Sequence, residues 1–234
     1  MEPKRLYLFA GHYGSGKTNI AVNYALHLAG EGKPVCIADL DIVNPYFRTA
    51  DSAQDLEKAG VKLVAPQFAN TNVDLPALPA EAYRLVTDTQ TYGIMDIGGD
   101  DRGAYALGRY VPAIKEENDY RMVFVANCYR PLTRTPEEAM EVMAEIEAAC
   151  GLKFTDIVNN SNLGPETTAE TVTDSLAYIE KLCKLSGLPL FAHTVTAEVA
   201  AQLENKLSPV LPLQLQEKYF DLPSQKPGNR PLWG

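Results

Sequence analysis

Apolar residues fall along this chain in two alternating rhythms. Short, nearly continuous apolar runs occur at RLYLFA (5–10), PVCIADL (34–40), VKLVAP (61–66), YGIMDIGG (92–99), YRMVFVAN (120–127), FTDIVNN (154–160) and PLFAHTV (189–195). Runs of this length, rich in β-branched and aromatic residues and closed by turn formers, predict buried strands. Between them lie segments with apolar positions at helical spacing: 17–30, 47–60, 79–89, 103–117, 135–151, 164–187 and 197–205. Punctuation agrees with the rhythm. Gly30, Gly60 and Gly151 close three of these helices, Thr135 and Pro136 open the fifth, and Pro112 predicts a kink or break in the fourth.

Strands alternating with helices predict an α/β fold with a doubly wound, mostly parallel sheet and helices on both faces. Residues 1–206 form one domain on this reading. Residues 207–234 are Pro-rich, with a short amphipathic helix expected near LQLQEKYF and then a loose tail carrying Trp233, which packs on the domain or touches a partner.

Composition narrows the function. The 234 residues include 46% hydrophobic and 22% charged side chains, as in a globular domain, and the net charge is -9. That charge weighs against coating nucleic acid or an anionic membrane. No run approaches the roughly 18 apolar residues of a membrane span, and the first apolar run ends in glycines rather than a cleavage signal, so a cytoplasmic protein is expected. Cys36, Cys128, Cys150 and Cys183 are too far apart for local metal-ligand spacing.

The candidate chemistry begins at FAGHYGSGKTNIA (9–21). Gly11, Gly16, Lys17 and Thr18 satisfy the phosphate-loop pattern G-x-x-x-x-G-K-[ST], between a strand and a helix as the pattern requires. Glycines allow backbone N–H groups to converge on a polyphosphate, and the helix start adds its positive dipole end. Lys17 would neutralise phosphate charge, and Thr18 would offer a hydroxyl to Mg²⁺. The nucleotide-binding stretch is therefore Gly11, His12, Tyr13, Gly14, Ser15, Gly16, Lys17, Thr18 and Asn19. A chance glycine turn would lack this context. Two acidic strand ends follow: Asp39 and Asp41 in ADLDIV, and Asp96 before Gly98 and Gly99 in MDIGG. Ligands of parallel sheets bind at the carboxyl ends of strands, so these carboxylates are candidates for holding Mg²⁺. Solvated strand ends are the plainer alternative.

The phosphate loop, the DLD after the second strand and the MDIGG segment together resemble the MinD/ParA-type deviant-Walker ATPases of the SIMIBI class. Their relatives include metallocentre-maturation ATPases and the nitrogenase iron protein. The resemblance runs from residue 5 to about 206. It implies a P-loop NTPase fold, slow ATP hydrolysis with Mg²⁺, an ATP-dependent homodimer and a protein partner. It also implies site roles: Lys17 and Thr18 on phosphate and metal, Asp39 near the metal, Asp41 orienting the attacking water, Asp96 as the Walker-B acid, and Gly98 and Gly99 in the second switch. Asn159 matches an asparagine that reads adenine, and Asn127 and Arg130 match a second base-flanking loop. One departure stands out. The family lysine that reaches across to the partner subunit's nucleotide is His12 here, and the glycine after it is Tyr13. His12, Arg48 or Arg102 could supply that charge, although the two arginines read equally well as solvated loop residues.

The segment VNNSNLG lacks the Lys and Asp of a guanine-reading N/T-K-x-D motif, which favours ATP over GTP. Two other readings compete with a switch ATPase. One is a small-molecule kinase or an ATP-dependent synthetase of the dethiobiotin or cobyrinate type, with QFANTNVDLPALP (67–79) lining an acceptor pocket. The other is a nucleotide-binding module without turnover.

Overall fold

A computed structural model describes residues 3–40, 52–64, 80–99, 101–203 and 207–215. In chain order the elements are β1 (Leu6–Ala10), α1 (Lys17–Gly30), β2 (Val35–Asp39), α2 (Ala53–Lys58), β3 (Lys62–Val64), α3 (Ala80–Thr87), β4 (Tyr92–Asp96), α4 (Asp101–Gly108), α5 (Val111–Glu117), β5 (Tyr120–Ala126), α6 (Pro136–Cys150), β6 (Asp156–Asn159), α7 (Ala169–Asp174), α8 (Leu176–Ser186), β7 (Leu190–Thr196), α9 (Ala197–Gln202) and β8 (Val210–Leu213). The strands form one eight-stranded sheet in the order β3-β2-β4-β1-β5-β6-β7-β8, and every pairing is parallel.

Alternation within the strands builds two cores. Leu6, Leu8, Met95, Met122 and Phe124 face one side and pack on side chains from α3 to α6 and from α8. Tyr7, Phe9, Ile37, Ile94, Val123 and Val125 face the other side and pack mainly on Ile20, Ala21, Ala25 and Leu28 of α1. Burial on both faces is why the inner strands read as continuous apolar runs rather than as alternating ones.

Three local features differ from the sequence reading. The helix expected at 103–117 is two helices, with Pro112 in the first turn of α5, where its missing N–H costs nothing. The long helix expected at 164–187 is a single 3₁₀ turn at Gly164–Glu166 followed by α7 and α8. Hydroxyls divide it: Thr168 and Thr171 form a capping box at the start of α7, and Ser175 Oγ donates to Val172 O at 2.7 Å where α7 gives way to α8. The third is β8, a strand where none was expected; Leu213 of the expected helix ends it, and 216–234, with Trp233, lies outside the described residues. Pro212 is tolerated because β8 is an edge strand. Asn23 of α1 fastens the end of that edge, donating to Gln214 O at 2.9 Å and accepting from Gln214 N at 2.8 Å.

At the amino edge of the sheet, Arg5 is 6% exposed and all its bonds are local anchors. Its guanidinium donates to Leu85 O, Val86 O, Asp88 O and Thr91 O at 2.9–3.1 Å and forms a two-pronged pair with Glu117. One side chain thereby ties the end of α3, the turn into β4 and the end of α5 to the residue that precedes β1. Among the described residues, no helix is long and apolar enough to cross a membrane.

Candidate nucleotide site

The order of the strands decides what meets at the carboxyl edge. β1 lies between β4 and β5, and β2 lies beyond β4. The loop leaving β1 is thus flanked by the ends of β4 and β2 on one side and of β5 and β6 on the other. A reversal of strand order of this kind opens a crevice for ligands.

The loop begins at Gly11 and ends at Gly16. A Cβ on Gly11 would stand 2.7 Å from Val125 O, so the chain leaves β1 pressed against the backbone of β5. Gly16 is left-handed, with φ 92, and serves as the N-cap of α1 without any side-chain cap. The first turn of α1 also holds no acidic residue. The positive dipole end of the helix thus meets no carboxylate of its own first turn. Inside the loop, Ser15 N donates to His12 O at 3.1 Å and Lys17 Nζ donates to the same oxygen at 3.3 Å. Lys17 and Thr18 are buried, and Ser15 Oγ, also buried, has no hydrogen-bond partner among the described residues. Asn19, half-buried, accepts from Asn23 Nδ2 through its backbone oxygen.

His12 and Tyr13 occupy the outer turn. His12 is half-buried, and its Nδ1 lies 3.0 Å from Tyr13 O. A carbonyl only accepts, so Nδ1 carries the proton and Nε2 is the acceptor when the ring is neutral. Tyr13 is 53% exposed.

Asp39 and Asp96 end neighbouring strands in direct register. They are 2% and 1% exposed. Phe9, one residue short of the end of β1, pairs with Asp96 on the other side. The two acids and the phosphate loop are thus brought to one stretch of the sheet edge. Gly99 closes the gap: a Cβ there would stand 2.8 Å from both Lys17 Nζ and Tyr13 N. Gly98 is covered from the other side by Gly103 of α4, whose Cβ would come within 2.5 Å of Gly98 Cα.

These residues suit Mg²⁺. No group of three His, Cys, Asp or Glu side chains surrounds a common point among the described residues. Mg²⁺ does not need such a cage: it keeps several waters and combines one or two carboxylates with phosphate oxygens. The two buried carboxylates and the Thr18 hydroxyl are the groups that could hold it.

On the other flank, the structure distributes the asparagines differently from the sequence reading. Asn159 is 2% exposed, and its amide serves the protein itself: Oδ1 accepts from Ser161 N at 3.1 Å, while Nδ2 faces Ser175 Oγ at 2.9 Å and His193 Nδ1 at 3.1 Å. Its neighbour Asn160, which the sequence reading passed over, is the one that reaches the loop: Asn160 Nδ2 donates to Ser15 O at 2.6 Å. Asn127 is buried at the end of β5 and shapes the next loop, accepting from Tyr129 N at 3.0 Å and, through its carbonyl, from Thr133 Oγ1 at 2.8 Å. Arg130 is exposed and runs beside Gly14, where a Cβ would lie 3.8 Å from its Nε. Asp41, Arg48 and the 67–79 segment lie outside the described residues, as does the side chain of Arg102.

No family profile and no curated protein matches the chain. Solved structures do. The cell division protein FtsY from Thermotoga maritima superposes with a TM-score of 0.57 at 16% identity over 83% of this chain and 62% of its own. FtsY from the chloroplast of Physcomitrella patens gives 0.54 at 15% identity over 82% and 58%. The signal recognition particle 54 kDa protein of Aeropyrum pernix, solved in complex with GDP, gives 0.52 at 15% identity over 82% and 41%. The chain shares an α/β, P-loop NTPase-like fold with these structures. In that fold residues 11–18 leave the first strand and enter the first helix, which is the placement that their letters call for. The chain spans 41–62% of the length of these three neighbours.

Proposed function

We propose that this P-loop protein is a Mg-ATP-dependent switch ATPase of the MinD/ParA-like class, working in the cytoplasm as an ATP-dependent homodimer on behalf of a partner protein such as a metalloenzyme or redox system. The observation that carries the reading is the convergence of Lys17, the uncapped start of α1 and the register-paired Asp39 and Asp96 on one stretch of the sheet edge.

On this reading Lys17 and the N–H groups of the loop bind the terminal phosphates, and Thr18 with Asp39 and Asp96 orients them for in-line attack. Bound Mg²⁺ would supply charge neutralisation at the phosphate oxygens. Asp41, two residues beyond Asp39, holds the attacking water. Gly99 lies against Lys17 and the loop, so the segment after β4 senses the terminal phosphate and changes place when that phosphate leaves. Arg130, beside Gly14, flanks the nucleotide. ATP is favoured because residues 159–162 read Asn-Asn-Ser-Asn, without the Lys and Asp of a guanine site.

Two substitutions test it. Lys17→Ala is expected to abolish ATP binding measured by calorimetry, and Asp41→Ala to retain binding while single-turnover hydrolysis stops. Hydrolysis at the parental rate in Asp41→Ala overturns the catalytic assignment. Tighter binding of GTP than of ATP in the same titration overturns the nucleotide assignment.

A further inference from the structure

The structure assigns Asn160 a positioning role: it clamps the phosphate loop in its binding shape, and Thr194 holds the clamp. The inference rests on the phosphate-loop reading above, but not on which nucleoside or partner the loop serves.

Asn160 sits just beyond β6, and its backbone N–H donates to Ala126 O of β5 at 2.8 Å. Its Oδ1 accepts from Thr194 Oγ1 at 2.6 Å and from Asn162 Nδ2 at 2.9 Å. Its Nδ2 donates to Ser15 O at 2.6 Å. Asn160, Ser15 and Thr194 are all buried. Ser15 O can only accept and Asn162 Nδ2 can only donate, and these two fix the orientation of the amide; the Thr194 hydroxyl, also 3.0 Å from Asn159 O, completes the set. Rotating the amide by half a turn would set its oxygen against Ser15 O and its NH₂ against that of Asn162, so only the observed arrangement satisfies the group.

Gly16 supplies an independent sign of the same fit. The space its missing side chain leaves is filled by the Asn160 amide, and a Cβ there would overlap Nδ2. The loop is therefore held at both ends. Gly11 lies on the backbone of β5, and the Ser15–Gly16 peptide lies on Asn160. Thr194 belongs to β7, the third strand from β1 on that side, so the clamp reaches from deep in the sheet to the loop.

The consequence is preorganisation. Polyphosphate binding needs several backbone N–H groups to point inward together, and a loop that had to be ordered on binding would lose affinity to that ordering. A loop fixed through Ser15 O is already in place. Asn160 acts through the loop, so the loss on breaking the clamp falls on the phosphates and not on the base.

The test uses the full chain. Thr194→Val keeps the shape of the side chain and removes the hydroxyl that holds Asn160. Binding of ATP and of inorganic tripolyphosphate is measured with Mg²⁺, beside a melting curve for each variant. Losing one buried hydrogen bond of this type is expected to weaken both ligands by about fivefold and by the same factor. Thr194→Ser restores both. Asn160→Ser, which removes the amide, shows the same parallel loss should Thr194→Val fold poorly. Unchanged tripolyphosphate affinity in these variants overturns the clamp, and so does a loss confined to ATP, which would place Asn160 on the base. Failure of the underlying reading looks different: the parental chain would bind neither ligand, or Lys17→Ala would bind both as the parent does.

Discussion

Asn159 and Asn160 are adjacent in sequence and live in different surroundings. The amide of Asn160 meets the phosphate loop, and that of Asn159 meets His193. Asn159 Oδ1 is occupied by Ser161 N, so Nδ2 must be the atom facing the imidazole, and His193 Nδ1 must be the acceptor. The ring is thus a neutral tautomer with its proton on Nε2. Burial lowers its pKa below the ordinary value of 6.5. The sign of the linkage follows. In the folded chain His193 resists protonation, whereas in the unfolded chain it takes up a proton at about 6.5. Its neutral state therefore costs nothing above that pH, and folding loses stability as the pH falls below it toward the lower folded-state value. Urea midpoints at pH 7.5 and 5.5 check this. The parental chain is expected to lose more stability across that interval than His193→Gln, whose amide oxygen can still accept from Asn159 and does not titrate. Equal losses in the two proteins would remove His193 from the acid response.

At the scale of elements, the contact to examine is between the turn after β4 and the phosphate loop. Gly99 approaches Lys17 and Tyr13 so closely that any side chain must displace one of them. Gly99→Ala is expected to weaken ATP binding by about tenfold, from the order of 1 kcal/mol that overpacking costs, with the melting temperature little changed. Parental affinity in that variant would separate the two segments functionally. Elements also show what the sequence could reveal. The inner strands were legible because both their faces are covered, which leaves an unbroken apolar signal. So was α6, whose Thr135–Glu138 capping box and left-handed Gly151 are written in local residue types. β8 was not, because only Leu211 and Leu213 of its four residues are buried and Pro212 disguises it. The division of α7 from α8 depends on where hydroxyls bond, which periodicity does not record. The contact of Asn160 was hidden because it lies one residue beyond the end of β6, where strand alternation no longer says which way a side chain turns.

The whole molecule carries a net charge of -9, so two copies repel over distance. Association under the proposed function must be won locally, where a nucleotide is enclosed between two site faces. Sedimentation of Asp41→Ala, in which the nucleotide stays intact, is expected to show a dimer with Mg-ATP and a monomer without it. A monomer in both conditions would sink the dimer. Raised salt should favour the dimer, since it screens like charge while the enclosed contacts are shielded from solvent.

Arg5 gives this picture its mechanical frame. One guanidinium rivets the end of α3, the turn into β4 and the end of α5 beneath the first strand, at the edge away from the loop 11–16. The sheet is then like a hand fan pinned at its handle. Under the proposed function, β4 so pinned does not slide along β1 when a phosphate leaves, and the change falls to the turn at Gly98 and Gly99, which lies against Lys17.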